Sequence, residues 1–185
     1  WLCTYYVYYD LDNLRFLILP SAVQLINSNW SITTALANPF CFRYEYDYKK
    51  RMIIKKIPGA GEAWMVYDLR DRLVMTQDSA LRLAHKWMFI KYDDENRPDS
   101  TGLITDNTNY NNLAYHQNLA GKSTAYPNVA SYTNEFLTQT YYDDYSWVSG
   151  TGSGLGTTLV SGYPTNSTYF YTTNNTSPAY SQPIT

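Results

Sequence analysis

The chain has 185 residues and a mass of 21.4 kDa, enough for one domain with a sizeable core. A net charge of −2 and a pI near 5.6 give no overall field that would draw nucleic acid or an anionic membrane. Apolar runs such as Phe16 to Leu19 are far too short to span a bilayer, so no membrane insertion is expected. Twenty tyrosines at a mean hydropathy of −0.42 suit an all-β protein with wide half-buried sheet faces, or a sugar-binding surface.

The chain begins at Trp1 without initiator Met, basic n-region or apolar h-region, which leads us to expect a fragment or a processed piece. Thr4 to Tyr9 and Leu14 to Leu19 are predicted strands around a turn. Pro20 ends the second, and Ser21 is the expected cap of a short helix through Ala22 to Ile26. Cys3 and Cys41 either pair in an oxidising compartment or stay as two thiols, and neither has the CxxC neighbour of a zinc site.

Between Phe42 and Asp106 one short phrase recurs. Tyr46-Asp47 precedes Arg51, Tyr67-Asp68 precedes Arg72, and Tyr92-Asp93 precedes Arg97, each Arg four residues after its Asp. A looser copy lies upstream at Tyr9-Asp10 with Arg15, and Tyr142-Asp143 repeats the pair without an Arg. The segments on either side of each phrase are β formers, so each phrase predicts a hairpin, and its recurrence predicts a repeat array. In the four copies the residue three after the Asp is Asn13, Lys50, Asp71 and Asn96. Asn and Asp tolerate the left-handed backbone such turns often use, and Lys50 is the poor fit. The Asp is expected to accept backbone N–H bonds, the Tyr to pack, and the Arg to lie on an aromatic face or pair with a carboxylate.

A second helical turn is expected from Ser79 to His85, and a third short helix between Asn107 and Lys122, with Gly121 as its stop. Val129 to Tyr132 and Glu135 to Tyr142 are the expected strands of one more hairpin. Beyond Trp147, and through the glycine run of residues 150–156, the composition is that of a loop.

These phrases resemble the YD repeats of the RHS family. The resemblance rests on Tyr44-Glu45-Tyr46-Asp47 with Arg51-Met52, on Met65-Val66-Tyr67-Asp68 with Asp71-Arg72-Leu73, and on Ile57-Pro58-Gly59-Ala60-Gly61, Thr76-Gln77-Asp78, Lys86-Trp87 and Lys91-Tyr92-Asp93. It covers residues 1–106 and departs from the family in lacking Gly before the Arg, in the displaced Arg15, and in Pro98. It implies tandem antiparallel hairpins in a curved, twisted sheet, with one to three short helices on the connections. It also implies a hollow β-shell around a C-terminal effector, commonly a toxin, in a secreted or bacterial surface protein. On that reading residues 1–106 are the hairpin array, with copies near 9–16, 46–53, 67–74 and 92–98. Residues 107–147 are a helix with a degenerate repeat, and 148–185 a tail.

Other candidate chemistry is weaker. Lys49, Lys50, Arg51, Lys55 and Lys56, with Tyr44, Tyr46 and Tyr48 alongside, resemble a nucleic-acid-binding hairpin, but also a solvated turn and outer sheet face that discourages edge association. Asp93-Asp94-Glu95 and Asp143-Asp144 lack the alternation and central Gly of a calcium loop. His85 and His116 have no HExxH or triad context and are expected to be exposed or locally bonded. The 150–156 run fits neither GxGxxG nor a P-loop. Asn29-Trp30-Ser31, Asn166-Ser167-Thr168 and Asn174-Asn175-Thr176 match glycosylation acceptors. The expectation is a non-enzymatic module without metal, cofactor or nucleic-acid partner, whose partners are the rest of its shell and an enclosed effector. The alternative is a carbohydrate-binding adhesin, an activity attributed to the wider YD-repeat family, with Tyr5, Tyr6 and Tyr8 as glycan contacts.

Overall fold

A computed structural model describes residues 3–10, 12–26 and 31–142. Cα packing divides the chain into Trp1–Gln139, which holds every element described below, and Thr140–Thr185. The fold is all-β with short helices. Nine strands, β1 (Tyr5–Tyr8), β2 (Leu14–Ile18), β3 (Cys41–Tyr46), β4 (Met52–Lys56), β5 (Glu62–Tyr67), β6 (Leu73–Gln77), β7 (Lys86–Tyr92), β8 (Pro98–Thr105) and β9 (Thr133–Gln139), form one sheet. Their order in the sheet is their order in the chain, and every pair is antiparallel.

Tight turns and longer returns alternate. The returns carry helices α1 (Pro20–Ile26) and α2 (Thr34–Phe40) between β2 and β3, α3 (Ser79–Leu83) between β6 and β7, and α4 (Leu113–Ala120) with a 3-10 turn (Val129–Ser131) between β8 and β9. The four α-helices exceed the expected one to three because the β2–β3 return holds two. α2 escapes sequence reading because Pro39 lies inside its last turn, where proline argues for a loop. α1 begins at Pro20, whose missing N–H costs nothing at a first helical position, and its first bonds run to the Leu19 carbonyl. Ser21 is therefore inside the helix and not its cap. α3 is capped as a helix should be, by the Asp78 side chain accepting from Leu81 N–H. The return ends at His85, whose φ of 57° turns the chain into β7. The strand expected at 129–132 is instead the 3-10 turn, and β9 extends the sheet past residue 106 by pairing along β8.

One face of β5 to β8 is closed. Val66, Met75, Trp87, Phe89 and Ile104 are buried there with Ala120 and Val129 from the last return. Burial in β8 alternates strictly, which identifies a half-buried strand. Gly102 has no side chain because a Cβ would lie 2.3 Å from the Glu135 carbonyl and 2.6 Å from the Phe89 ring. A smaller core of Ile18, Ala22, Ile26 and Cys41 lies under α1 and α2. Cys41 pairs with Ile18, which in turn pairs with Tyr5, so two strand spacings of about 4.8 Å separate it from β1. That is beyond disulfide reach; Cys3 and Cys41 are free thiols, and burial pushes the Cys41 thiol pKa up.

Candidate functional site: an Asp–Arg–Tyr interlock between hairpins

Each repeat phrase closes as a three-residue hairpin loop. Asp47 N–H donates to Arg51 O at 3.0 Å, and Lys50 N–H to Asp47 O at 2.9 Å. Asp68 with Arg72 and Asp71 gives 2.9 and 3.1 Å, and Asp93 with Arg97 and Asn96 gives 3.0 and 3.1 Å. This is a type I turn followed by one left-handed residue, and φ is 62° at Lys50, 64° at Asp71 and 64° at Asn96. The register then slips at the Tyr, which faces Met52, Leu73 and Pro98 in turn.

The first copy has the same frame one residue earlier. Tyr9 N–H donates to Asn13 O and Asp12 N–H to Tyr9 O, φ is 62° at Asp12, and Tyr8 faces Leu14 after the slip. Tyr9 therefore occupies the Asp place and Asn13 the Arg place. The phrase Tyr9-Asp10-Arg15 is out of register with the others, and the left-handed residue is Asp12 and not Asn13. The sequence match is misleading because Tyr8-Tyr9 offers two tyrosines and the Asp follows the wrong one.

In the three full copies the carboxylate divides its work. Asp47 Oδ1 accepts from Lys49 N–H (2.9 Å) and Arg51 N–H (3.0 Å); Asp68 Oδ1 accepts from Arg70 and Arg72 N–H, both 2.9 Å; Asp93 Oδ1 accepts from Arg97 N–H at 2.8 Å. The other oxygen takes the guanidinium of the same turn, through Nε of Arg51 (2.7 Å), Arg72 (2.8 Å) and Arg97 (2.6 Å). Asp68, 1% exposed, is the most enclosed. At Asp93 partial burial works upward but is outweighed by the Arg97 N–H, side chain and charge and the Glu95 N–H, so its pKa lies below the usual 3.8.

The Arg then leaves its own hairpin. Arg51 lies 4.8 Å over the Tyr67 ring and donates through Nη1 to Asp71 Oδ1 at 2.6 Å; Arg72 lies 4.7 Å over Tyr92 and donates to Asn96 Oδ1 at 2.9 Å. The hydroxyl of that next Tyr returns the contact, Tyr67 to Met52 O (2.9 Å) and Tyr92 to Leu73 O (2.8 Å). Burial raises the Tyr67 and Tyr92 pKa values, so both hydroxyls are donors at neutral pH. The left-handed residue Asp71 thus serves its own turn and the previous Arg, a role that sequence spacing did not show. Tyr46 instead meets Tyr9 edge-on at 6.3 Å, and Arg15 lies over Tyr9 at 4.9 Å.

The remaining candidates separate. Lys49 donates to Asp71 at 2.6 Å and Lys56 to the Ala60 carbonyl at 2.6 Å, so part of the basic cluster is tied down locally. Glu95 reaches Arg97 at 3.4 Å. His85 stacks on Tyr110 at 3.6 Å. Among the described residues no group of His, Cys, Asp and Glu could hold a metal ion, and no helix is long and apolar enough to cross a membrane. Tyr5, Tyr6 and Tyr8 are 40, 56 and 54% exposed, but Tyr5 and Tyr6 point to opposite faces of β1. Asp143-Asp144, the 150–156 run and Asn29, Asn166 and Asn174 lie outside the described residues.

Sequence reading missed two clusters. Arg82 of α3 lies 3.5 Å over the Trp64 ring and donates to Gln77 Oε1 and the Glu62 carbonyl, while Trp64 and Arg43 both donate to the Glu62 carboxylate. His116 is fully buried and bonded at both ring nitrogens. Neither has a local signal, because the partners come from separate elements.

No protein-family model matches the chain. No curated protein matches it. Among solved structures it is similar to a chain of "Crystal Structure of TcdB2-TccC3-TEV", at 19% identity and a TM-score of 0.42, over 56% of this chain and 4% of that one. The present chain thus spans a small part of the length of that structural neighbour.

Proposed function

We propose that this chain is a non-enzymatic wall segment of a larger RHS-type β-shell, in a secreted or bacterial surface protein that encloses or presents a C-terminal effector. The observation that carries the reading is the interlock. In each full copy the Asp and Arg bind each other, and where a further full copy follows, the Arg and the next Tyr hold that hairpin, which leaves the repeated side chains committed to assembly. The sheet supports the same reading: β1 and β9 have one neighbour each among the described strands, and such edges are suited to continuation by further hairpins.

The test is the parent reading frame followed by limited proteolysis of its full product. The expected result is further Tyr-Asp phrases around this stretch and a divergent C-terminal domain that protease cannot reach until the shell opens. A frame that closes around these residues behind its own signal peptide overturns the reading. So does hydrolase turnover by the purified chain that is lost on changing Asp93 or His85. The exposure of Tyr5, Tyr6 and Tyr8 favours a second reading, a glycan-binding module. A glycan array in which Tyr6→Ala or Tyr8→Ala abolishes a reproducible signal would select it.

A further inference from the structure

The interlock has a giving half and a receiving half. Arg51 and Arg72 each cover a Tyr ring and donate through Nη1 to the left-handed residue four places after that Tyr, Asp71 after Tyr67 and Asn96 after Tyr92. Where the left-handed residue is no acceptor, the giving residue is missing as well. Lys50 follows Tyr46 by four, and the hairpin before it has Asn13 in the Arg place; Tyr46 is met by Tyr9 instead. The left-handed side chain thus tracks what the preceding hairpin presents, because a guanidinium is bound by a carboxylate or amide oxygen there and repelled by an ammonium.

Hairpin β1–β2 has the receiving half complete. Tyr8 stands in the Tyr place, and Asp12, four places on at φ 62°, is the left-handed residue. The Tyr8 side chain is 54% exposed and has no cation, ring or hydrogen-bond partner among the described residues. Asp12 is exposed, and its carboxylate accepts no hydrogen bond from them. Arg15 does not fill the place, since it lies over Tyr9 and Phe16. Beside Tyr8 the sheet is open, β1 having only β2 as a neighbour among the described strands.

The strand that would bring the cation has a defined register. At three joins between hairpins the residue three after the Arg place faces the residue three before the Tyr: Phe16 with Arg43, Ile54 with Trp64, and Met75 with Phe89. At the open edge the third residue after an incoming Arg would accordingly face Tyr5. A second copy of this chain does not supply that strand. Its two edges, β1 and β9, both precede a Tyr-Asp phrase in the chain, whereas the giving Arg belongs to a strand that follows one.

We propose that Tyr8 and Asp12 are the receiving site for an arginine of a further hairpin that adds antiparallel to β1, in continuation of the interlock. The guanidinium covers the Tyr8 ring and donates to Asp12, and the Tyr8 hydroxyl donates to the carbonyl of the residue after that Arg, as Tyr67 does to Met52 and Tyr92 to Leu73. The partner is the preceding hairpin of the larger shell, so the inference rests on the shell-wall reading and names the side chain that the wall must present at this edge.

The test extends the chain by a copy of residues 42–61 joined ahead of Cys3, which sets the copied Arg as far before Tyr8 as Arg51 stands before Tyr67. Amide exchange should show about tenfold or more added protection over Tyr5–Tyr8 relative to the original chain. Most of that gain should be lost with Arg51→Ala in the copy, with Tyr8→Ala or with Asp12→Lys, and combining them should cost little more. Asp12→Asn should keep it, as Asn96 serves Arg72. Equal protection with and without the copied Arg, or with Asp12→Lys, overturns the proposal, because backbone pairing alone then makes the join. So does a β1 that gains nothing from this extension or from a copy of residues 62–85 joined ahead of Leu2, which repeats the spacing of Arg72 and Tyr92. None of these outcomes touches the shell reading, which stands or falls on the parent frame. Preceding phrases in that frame with a residue other than Arg in the Arg place would refute the receiving site and leave the shell standing.

Discussion

Hairpins β1–β2 and β5–β6 close on the same frame of backbone hydrogen bonds, with the same slip in register and a left-handed residue at the same place. In β5–β6 the frame is filled by Asp68 and Arg72, and in β1–β2 by Tyr9 and Asn13. The turn therefore forms without the pair. What β1–β2 lacks is the outward reach: Asn13 is too short to cover the next ring, and Arg15 covers Tyr9 of its own hairpin instead. The comparison separates two functions that one phrase appears to combine. The backbone geometry makes the turn, and the Asp–Arg–Tyr set couples one hairpin to the next.

The deepest break is at Asp68. Asp68→Ala removes the acceptor of the Arg70 and Arg72 N–H groups and strands a half-buried guanidinium. Urea unfolding should show a loss of about 3–5 kcal/mol, the usual result of removing one partner of a buried pair. Tyr9→Ala at the equivalent place in β1–β2 should cost about 1–2 kcal/mol, from the lost Tyr46 and Arg15 contacts. Equal costs would mean that the carboxylate is not what distinguishes the two hairpins.

The coupling itself is tested at the ring. Tyr92→Phe keeps the surface under Arg72 and loses only the bond to Leu73 O, for about 1 kcal/mol. The converse experiment installs the pair, with Tyr9→Asp and Asn13→Arg made singly and together. The double-mutant cycle should return a favourable coupling of about 0.5–1 kcal/mol, and a value at zero would mean that β1–β2 cannot use the clamp.

The left-handed position gives a smaller effect. Lys50→Gly should stabilise by about 0.5–1 kcal/mol because a long side chain is strained at φ 62°, whereas Asn96→Gly should be near neutral. Acidification probes the last clamp without altering the chain. Because Asp93 has its folded pKa below 3.8, its contribution is present above that value and is lost as pH falls through the lower one. The urea midpoint of the wild type should converge on that of Asp93→Asn only in that acid range.

The strand and turn pattern was largely legible in the sequence because it is local. Period-two apolar runs, a Tyr-Asp phrase and an Asn or Asp three residues on specify a hairpin through contacts within about ten residues. The same locality explains the errors. At Tyr8-Tyr9-Asp10 the phrase could be laid on the chain in two registers, and only the ladder from Tyr5–Ile18 to Tyr8–Leu14 decides between them. α2 was hidden by Pro39, which the last turn of a short helix accommodates.

By itself, then, the sequence determined the hairpin units and their order, which are settled over a few bonds of chain, while it left each Arg with either an aromatic face or a carboxylate as its partner. Only the tertiary structure decided which Tyr each Arg covers, that Asp71 serves two turns, and that His116 is buried beneath Tyr126. Those contacts join residues that β pairing and the last return bring together across 10 to 20 positions, and side-chain spacing along the chain carries no information about such closures until the register of the sheet is set.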